Sequence, residues 1–98
     1  SHITGGGFYE NIPRALPDGV AAKISKNSYE VPAIFKLLQQ TGNISEHDMY
    51  NTFNMGIGMM LVVDKADAAK AVEILKANGE NAFIIGETVA SKEGVIIE

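Results

Sequence analysis

The sequence predicts an α+β domain, in which helices are layered on a mixed, mainly antiparallel sheet. Three observations support this fold class. The chain has 98 residues, enough for one domain with a modest hydrophobic core. Its apolar content of 46% and charged content of 20% are those of an ordinary globular protein. Segments with helical spacing of apolar residues alternate with short apolar runs of strand type, and layered packing is the simplest way to bury both.

The first half of the chain predicts three helices and one strand. A short helix is expected over Gly7–Leu16, followed by a turn over Pro17–Gly19, whose residue types favour tight turns. Val20–Ser25 then has the composition of a short strand. A second helix is expected over Pro32–Gly42, because proline suits a first helical turn and glycine a helix end. Ser45, with an acidic residue three positions later, is placed to cap a third helix.

The second half predicts one long strand, a helix and two short strands. The segment "GIGMMLVVD", Gly56–Asp64, is almost continuously apolar, which is typical of a central strand covered on both faces. Its last residue, Asp64, is placed to cap a helix that Gly79 ends. Ala82–Ile85 and Val95–Ile97 are the remaining predicted strands. This order favours a ferredoxin-like split βαβ arrangement in the second half.

Charge and composition exclude several classes of partner and site. The net charge of −4 argues against nonspecific nucleic-acid binding, which needs a basic surface. The chain has no cysteine, which excludes disulfides and thiolate zinc sites and fits a cytoplasmic protein. No apolar run approaches the roughly 20 residues that span a bilayer, so no membrane partner is expected.

The segment "HITGGGFYENIPR", residues 2–14, is the first candidate site. Glycine allows positive φ and close approach of a ligand to the backbone, and a helix start offers unpaired N–H groups to an anion. Thr4 adds a hydroxyl, His2 an imidazole, and Arg14 a planar cation suited to phosphate. An anion-binding loop and a simple tight turn both stay open, because the pattern matches neither GxGxxG nor a Walker loop.

The segment "TFNMGIGMM", residues 52–60, is the second candidate site. Asn54 carries an amide that can hydrogen-bond a ligand, and Gly56 and Gly58 would permit its close approach. The alternative is that these glycines make room for packing or for a bulge. The acidic residues lie where helix-start electrostatics would place them, and no set of side chains has the spacing of a metal site.

Together, the two motifs resemble the C-terminal region of the aminoimidazole ribonucleotide synthetase family, the phosphoribosylformylglycinamidine cyclo-ligases. The resemblance is carried by "HITGGGFYENIPRALPDG" and "NISEHDMYNTFNMGIGMMLVV", and it extends to "NGENAFIIGETV" and the terminal "GVIIE". It covers essentially the whole chain. The combination of HITGGG, ENIPR and NMGIGM is far more diagnostic than any one of these motifs.

The resemblance implies an ATP-dependent ligase of de novo purine synthesis, which closes formylglycinamidine ribonucleotide into aminoimidazole ribonucleotide. It implies ATP and Mg2+ as cofactors of a cytoplasmic homodimer with two domains per subunit. The family's N-terminal domain supplies the nucleotide loop and the metal-binding carboxylates. Residues 1–98 therefore correspond to the latter part of a C-terminal domain, expected to be inactive without the N-terminal portion.

The resemblance also assigns roles to residues of the two motifs. His2 is the candidate catalytic residue, as a group that orients or protonates a developing anion. The residues assigned to substrate or phosphate binding are Thr4, Gly5, Gly6, Gly7, Asn11, Arg14, Asn54 and Gly56. No metal ligand is expected in this chain. Two alternatives remain: a free-standing regulatory module that binds a small anion, and a structural oligomerisation unit.

Overall fold

A computed structural model describes all of residues 1–98, and it contains four α-helices and three β-strands. The helices are α1 (Gly7–Asn11), α2 (Ala33–Gly42), α3 (Glu46–Thr52) and α4 (Ala68–Ala77). The strands are β1 (Val20–Ile24), β2 (Gly86–Ala90) and β3 (Val95–Ile97). The α+β class predicted from the sequence is confirmed. No helix is long and apolar enough to cross a membrane.

The helices begin and end largely where the sequence predicts. α1 continues as a 3-10 turn over Ile12–Ala15, so the predicted first helix is helical but tightens in its second half. Ser45 caps α3, since its hydroxyl accepts a hydrogen bond from the Asp48 amide at 3.1 Å. The Asp64 side chain makes no cap for α4. A 3-10 turn precedes that helix instead, and the Asp64 backbone carbonyl accepts from the Asp67 amide at 2.8 Å.

The three strands form one mixed sheet in the order β2-β1-β3. β1 pairs antiparallel with β2, with Val20 opposite Ala90 and Ile24 opposite Gly86. It pairs parallel with β3, with Ala22 opposite Val95. The predicted strand Val95–Ile97 is therefore confirmed, whereas the predicted strand Ala82–Ile85 lies just before the observed one. The register explains this shift, because the residues that face β1 are those from Gly86 onwards.

The ferredoxin-like arrangement predicted for the second half is not confirmed. Its first strand was expected over Gly56–Asp64 and buried on both faces, but these residues form no strand of the sheet. Only Met59 forms an isolated bridge, opposite His2. Leu61, Val62 and Val63 remain 57%, 48% and 45% exposed. The segment is apolar enough for a central strand, but no neighbouring strand within residues 1–98 pairs with it beyond Met60.

The hydrophobic core lies between α1, α3 and one face of β1 and β3. Its most completely enclosed side chains are Phe8, Ile12 and Met49. The remaining members of this core are Ile3, Ala22, Ile24, Tyr50, Met55, Met60 and Val95. Because Ile3, Met55 and Met60 come from the two candidate motifs, the same core that stabilises the domain also fixes the motifs relative to each other.

Candidate functional site

The two motifs are joined by main-chain pairing. The Ile3 amide donates to the Gly58 carbonyl at 2.8 Å, and the Met60 amide donates to the Ser1 carbonyl at 2.8 Å. His2 and Met59 lie opposite each other in this short antiparallel ribbon. Ile3 and Met60 are buried, whereas His2 and Met59 are exposed. One face of the ribbon therefore belongs to the core, and the other presents His2 to solvent.

Beside this ribbon lies an open depression of about 320 Å³. It is lined by Ile3, Thr4, Gly5, Phe35, Thr52, Phe53 and Asn54. The structure therefore brings three of the predicted site residues together: Thr4 and Gly5 from the first motif, and Asn54 from the second. The rings of Phe35 and Phe53 are tilted against each other with centroids 5.9 Å apart, which gives the depression an apolar wall.

The glycine loop has two main-chain donors without partners in the chain, and of these residues only Gly5 lines the depression. Gly5 is exposed and Gly6 is half-buried. The amides of both residues donate no hydrogen bond within the chain. Gly6 has φ +95°, and the Glu10 carboxylate lies beside it, with Oε2 2.6 Å from where a Gly6 Cβ would stand. Since the exposed Glu10 side chain is free to rotate, an anionic ligand at Gly6 would have to displace it.

Asn54 stabilises the turn in which it lies through its own side chain and carbonyl group. Its side-chain Oδ1 accepts from the Gly56 amide at 2.8 Å, and its carbonyl accepts from the Ile57 amide at 3.0 Å. Asn side chains commonly stabilise turns in this way. The engagement of Oδ1 leaves Nδ2 as a donor without a partner in the chain. Asn54 therefore offers the depression a hydrogen-bond donor in a fixed orientation.

Two of the predicted glycines have packing reasons for being glycine. Gly7 is buried at φ +62°, and a Cβ there would collide with the Tyr50 carbonyl oxygen of α3. Gly56 has φ +94°, and a Cβ would stand 2.6 Å from Cδ of Pro32. Neither residue lines the depression, so the close contacts of these two positions are with the chain itself. Their predicted contact with substrate stays a prediction.

Three other predicted residues lie away from the lining. His2 is on the exposed face of the ribbon, and Arg14 is exposed at the surface in the 3-10 turn after α1. Asn11 is buried, with its carboxamide turned toward the backbone of the glycine loop. The roles of His2 and Arg14 at a ligand stay predictions. The geometry of Asn11 favours a role within the loop itself.

Sequence reasoning missed part of the lining. Thr52 and Phe53 immediately precede Asn54 in the second motif, so their position there was the available signal. Phe35 lies within the predicted helix Pro32–Gly42, and it does belong to α2. Its ring packs on Phe53 rather than into a separate core, and only the tertiary contact reveals this.

Tyrosines close to the site have raised pKa values. Burial raises the pKa of Tyr29, and the neighbouring Tyr50 adds to the shift. Burial also raises the pKa of Tyr50, with the Glu46 carboxylate as the second cause. The Tyr29 hydroxyl donates to the Met55 carbonyl at 3.1 Å, beside the turn of Asn54. The Tyr29 phenol is therefore a neutral hydrogen-bonding group that supports the second motif.

The chain is thus a mixed-sheet domain whose two glycine-containing motifs meet at one depression. The chain belongs to the family described as AIR synthase related protein, C-terminal domain, whose profile matches residues 1–98. Curated relatives named phosphoribosylformylglycinamidine cyclo-ligase match it over almost its whole length. The protein from Lachnospira eligens is 62% identical over 97 residues, which are 99% of this chain and 28% of the relative.

Two further relatives carry the same name. The Lachnoclostridium phytofermentans protein is 59% identical over 97 residues, 99% of this chain and 28% of that protein. The Staphylococcus carnosus protein is 56% identical over 98 residues, again 99% of this chain and 28% of the relative. The chain thus spans a little over a quarter of the length of the relatives it matches.

Proposed function

We propose that the chain is the C-terminal part of an ATP-dependent cyclo-ligase. In this proposal the enzyme converts formylglycinamidine ribonucleotide to aminoimidazole ribonucleotide in de novo purine biosynthesis. The observation that carries it is the identity of 62% with the Lachnospira eligens cyclo-ligase across both motifs. The alternative of a free-standing regulatory module is not supported, because the three curated relatives compared are all named as this ligase.

The depression forms one wall of the substrate site in this proposal. The amides of Gly5 and Gly6 and the Nδ2 group of Asn54 supply hydrogen-bond donors for phosphate, ribose or carbonyl oxygens. Such preorganised donors stabilise negative charge that develops in a transition state. The Phe35 and Phe53 rings form an apolar part of the lining. His2 orients the substrate or transfers a proton to it from the exposed edge of the ribbon.

When bound to the full-length enzyme, ATP would supply the phosphoryl group that activates the formamide oxygen of the substrate. Protein groups contribute mainly positioning and electrostatics to phosphoryl transfer. In this chain no group of three or more His, Asp or Glu side chains is arranged to hold a metal ion. Because the family resemblance gives the metal-binding carboxylates and the nucleotide loop to the N-terminal domain, we assign the binding of Mg2+ and of the ATP phosphates to the N-terminal portion of the full-length protein.

The exposed apolar residues support the view that this is a partial domain. Leu61, Val62 and Val63 follow directly after the ribbon residue Met60, and Ile34 and Leu37 on α2 are 53% and 58% exposed. A surface of this kind usually contacts another protein segment. We infer that it packs against the remainder of a longer polypeptide, in a cytoplasmic homodimer of the kind the family resemblance implies.

A hybrid enzyme tests the proposed function. The matching segment of the Lachnospira eligens cyclo-ligase is replaced by residues 1–98, and the purified hybrid is assayed for ATP-dependent formation of aminoimidazole ribonucleotide. We expect turnover by the hybrid and none by the same protein without the segment. A hybrid that is folded but inactive, beside an active parent enzyme, would contradict the proposal.

A further inference from the structure

The side chain of Asn11 is enclosed by the glycine loop. Asn11 is 2% exposed. Its Nδ2 group donates to the carbonyl oxygens of Thr4 at 3.1 Å, Gly5 at 3.3 Å and Gly7 at 2.8 Å. Its Oδ1 atom accepts from the Thr4 hydroxyl at 3.1 Å. Both ends of the carboxamide are therefore used within the chain, and no polar atom of the side chain remains for a ligand.

These contacts fix which way the carboxamide points. Three carbonyl oxygens surround one end of the side chain, and only the NH2 group can donate to them. The other end must then be the oxygen, which can only accept. The single hydroxyl proton of Thr4 is consequently committed to Asn11, and Thr4 Oγ1 faces any ligand as an acceptor.

The same contacts set the direction of the loop amides. All peptide bonds of the chain are trans, and in a planar trans unit the carbonyl and the amide N–H point in opposite directions. The carbonyls of Thr4 and Gly5 point inward to Asn11, so the N–H groups that share their peptide units, those of Gly5 and Gly6, point outward. Neither N–H has an acceptor in the chain.

We propose that Asn11 is a positioning residue, whose carboxamide fixes the hydrogen-bonding direction of the glycine loop. It holds the Gly5 and Gly6 amides outward as donors and leaves the Thr4 hydroxyl as an acceptor. The loop is therefore built for a ligand that carries both chemistries, oxygen acceptors such as those of phosphate and an N–H or O–H donor. This inference rests on the proposed function, because it identifies what shapes the loop of that substrate site.

Exchange of side-chain protons tests the arrangement in the unaltered chain. Asn78 is a matched reference, since its Nδ2 donates to the Ile74 carbonyl at 2.8 Å, four residues back, as Asn11 donates to Gly7. Asn78 is exposed, whereas Asn11 is buried. We expect the carboxamide protons of Asn11 to exchange with solvent much more slowly than those of Asn78. Equally fast exchange at both residues would overturn the proposal.

A titration with inorganic phosphate tests the consequence for ligands. In the isotope-labelled chain, phosphate is expected to shift the amide resonances of Gly5 and Gly6. Asn11→Asp places an acceptor where the donor was, and we expect it to weaken phosphate binding at least about tenfold. Asn11→Ala is the second variant, since it buries no charge. Asn78→Asp is the control and should bind phosphate as the unaltered chain does.

The amides of Ala21 and Ala22 in the buried strand β1 report whether each variant is folded. A folded Asn11 variant that binds phosphate as tightly as the unaltered chain would overturn the proposal, as would the absence of phosphate shifts at Gly5 and Gly6 in the unaltered chain. The titration requires no turnover. An inactive hybrid enzyme with Asn11-dependent phosphate binding would therefore contradict the proposed function alone.

Discussion

Replacement of Gly7 by alanine should destabilise the domain more than replacement of a glycine that has open space where its Cβ would stand. Gly7 has φ +62°, and the Cβ of an alanine would overlap the Tyr50 carbonyl oxygen and stand 2.8 Å from that of Phe53. The left-handed conformation costs an L-residue about 1–2 kcal/mol. Overpacking against a rigid neighbour adds about 1–3 kcal/mol. Gly7→Ala should therefore lower the free energy of unfolding by about 2–5 kcal/mol.

Two other glycines separate these contributions. Gly19 has φ +79° with nothing within 4 Å of where a Cβ would stand, so Gly19→Ala should show the conformational cost alone, about 1–2 kcal/mol. Gly58 has open space and no positive φ, and Gly58→Ala should leave the stability nearly unchanged. Domains of this size are stable by only about 5–15 kcal/mol, so the effect at Gly7 is a large share of the total.

Urea unfolding followed by far-UV circular dichroism measures all three variants against the unaltered chain. The slope of the free energy with urea should stay constant, so that shifts in midpoint report stability. The reasoning would be refuted if Gly7→Ala and Gly19→Ala lost the same free energy. That result would mean that α1 moves away from α3 at no cost, and that the close approach at Gly7 is not a constraint.

Two further predictions concern the candidate catalytic residue and the buried phenols. In the hybrid enzyme, His2→Ala should reduce kcat severely without changing the unfolding midpoint, because His2 is exposed; turnover close to that of the parent hybrid would exclude a catalytic role. Tyr29 has a folded-state pKa above its ordinary 10.0, so the folded state retains its proton while the unfolded state ionises. The contribution of Tyr29 to stability should therefore be constant below pH 10 and decrease above it by up to about 1.4 kcal/mol per pH unit. Tyr29→Phe should lower the neutral-pH stability, since it removes the hydrogen bond to Met55, and yet flatten this alkaline decline. An unchanged alkaline slope in Tyr29→Phe would contradict the assignment.

Local signals predicted the helices well. The boundaries of α2 and the Ser45 cap of α3 depend on residues next to each other in sequence, and both are found as expected. The strands depend on pairing with segments that are distant in sequence. The apolar run at Ala82–Ile85 suggested a strand, but the register of β1 places the more polar Gly86–Ala90 beside it. Strand propensity carries no information about register.

The candidate site, like the fold, could be predicted only in part from the sequence. Sequence alone indicated that Thr4, Gly5 and Asn54 belong to ligand-binding segments, and the structure places all three at one depression. The structure also distinguishes the roles of two glycines. Gly5 lines the depression, whereas glycine is required at position 7 because α1 packs closely on α3. The enclosure of Asn11 by three carbonyls was beyond prediction, because it depends on the path of the backbone rather than on any pattern of side chains.

The ribbon between residues 1–3 and 58–60 also determines when the site can form during folding. Ser1 and Met60 are 59 residues apart in sequence, so their pairing closes a loop that contains α1, β1, α2 and α3. Long-range contacts of this kind form late, because the entropy of closing the loop must be lost before they are made. On a ribosome, the glycine loop would be synthesised before the second motif but would acquire its partner only after Met60 had emerged. The depression, which residues of both motifs line, is thus completed only at this late step.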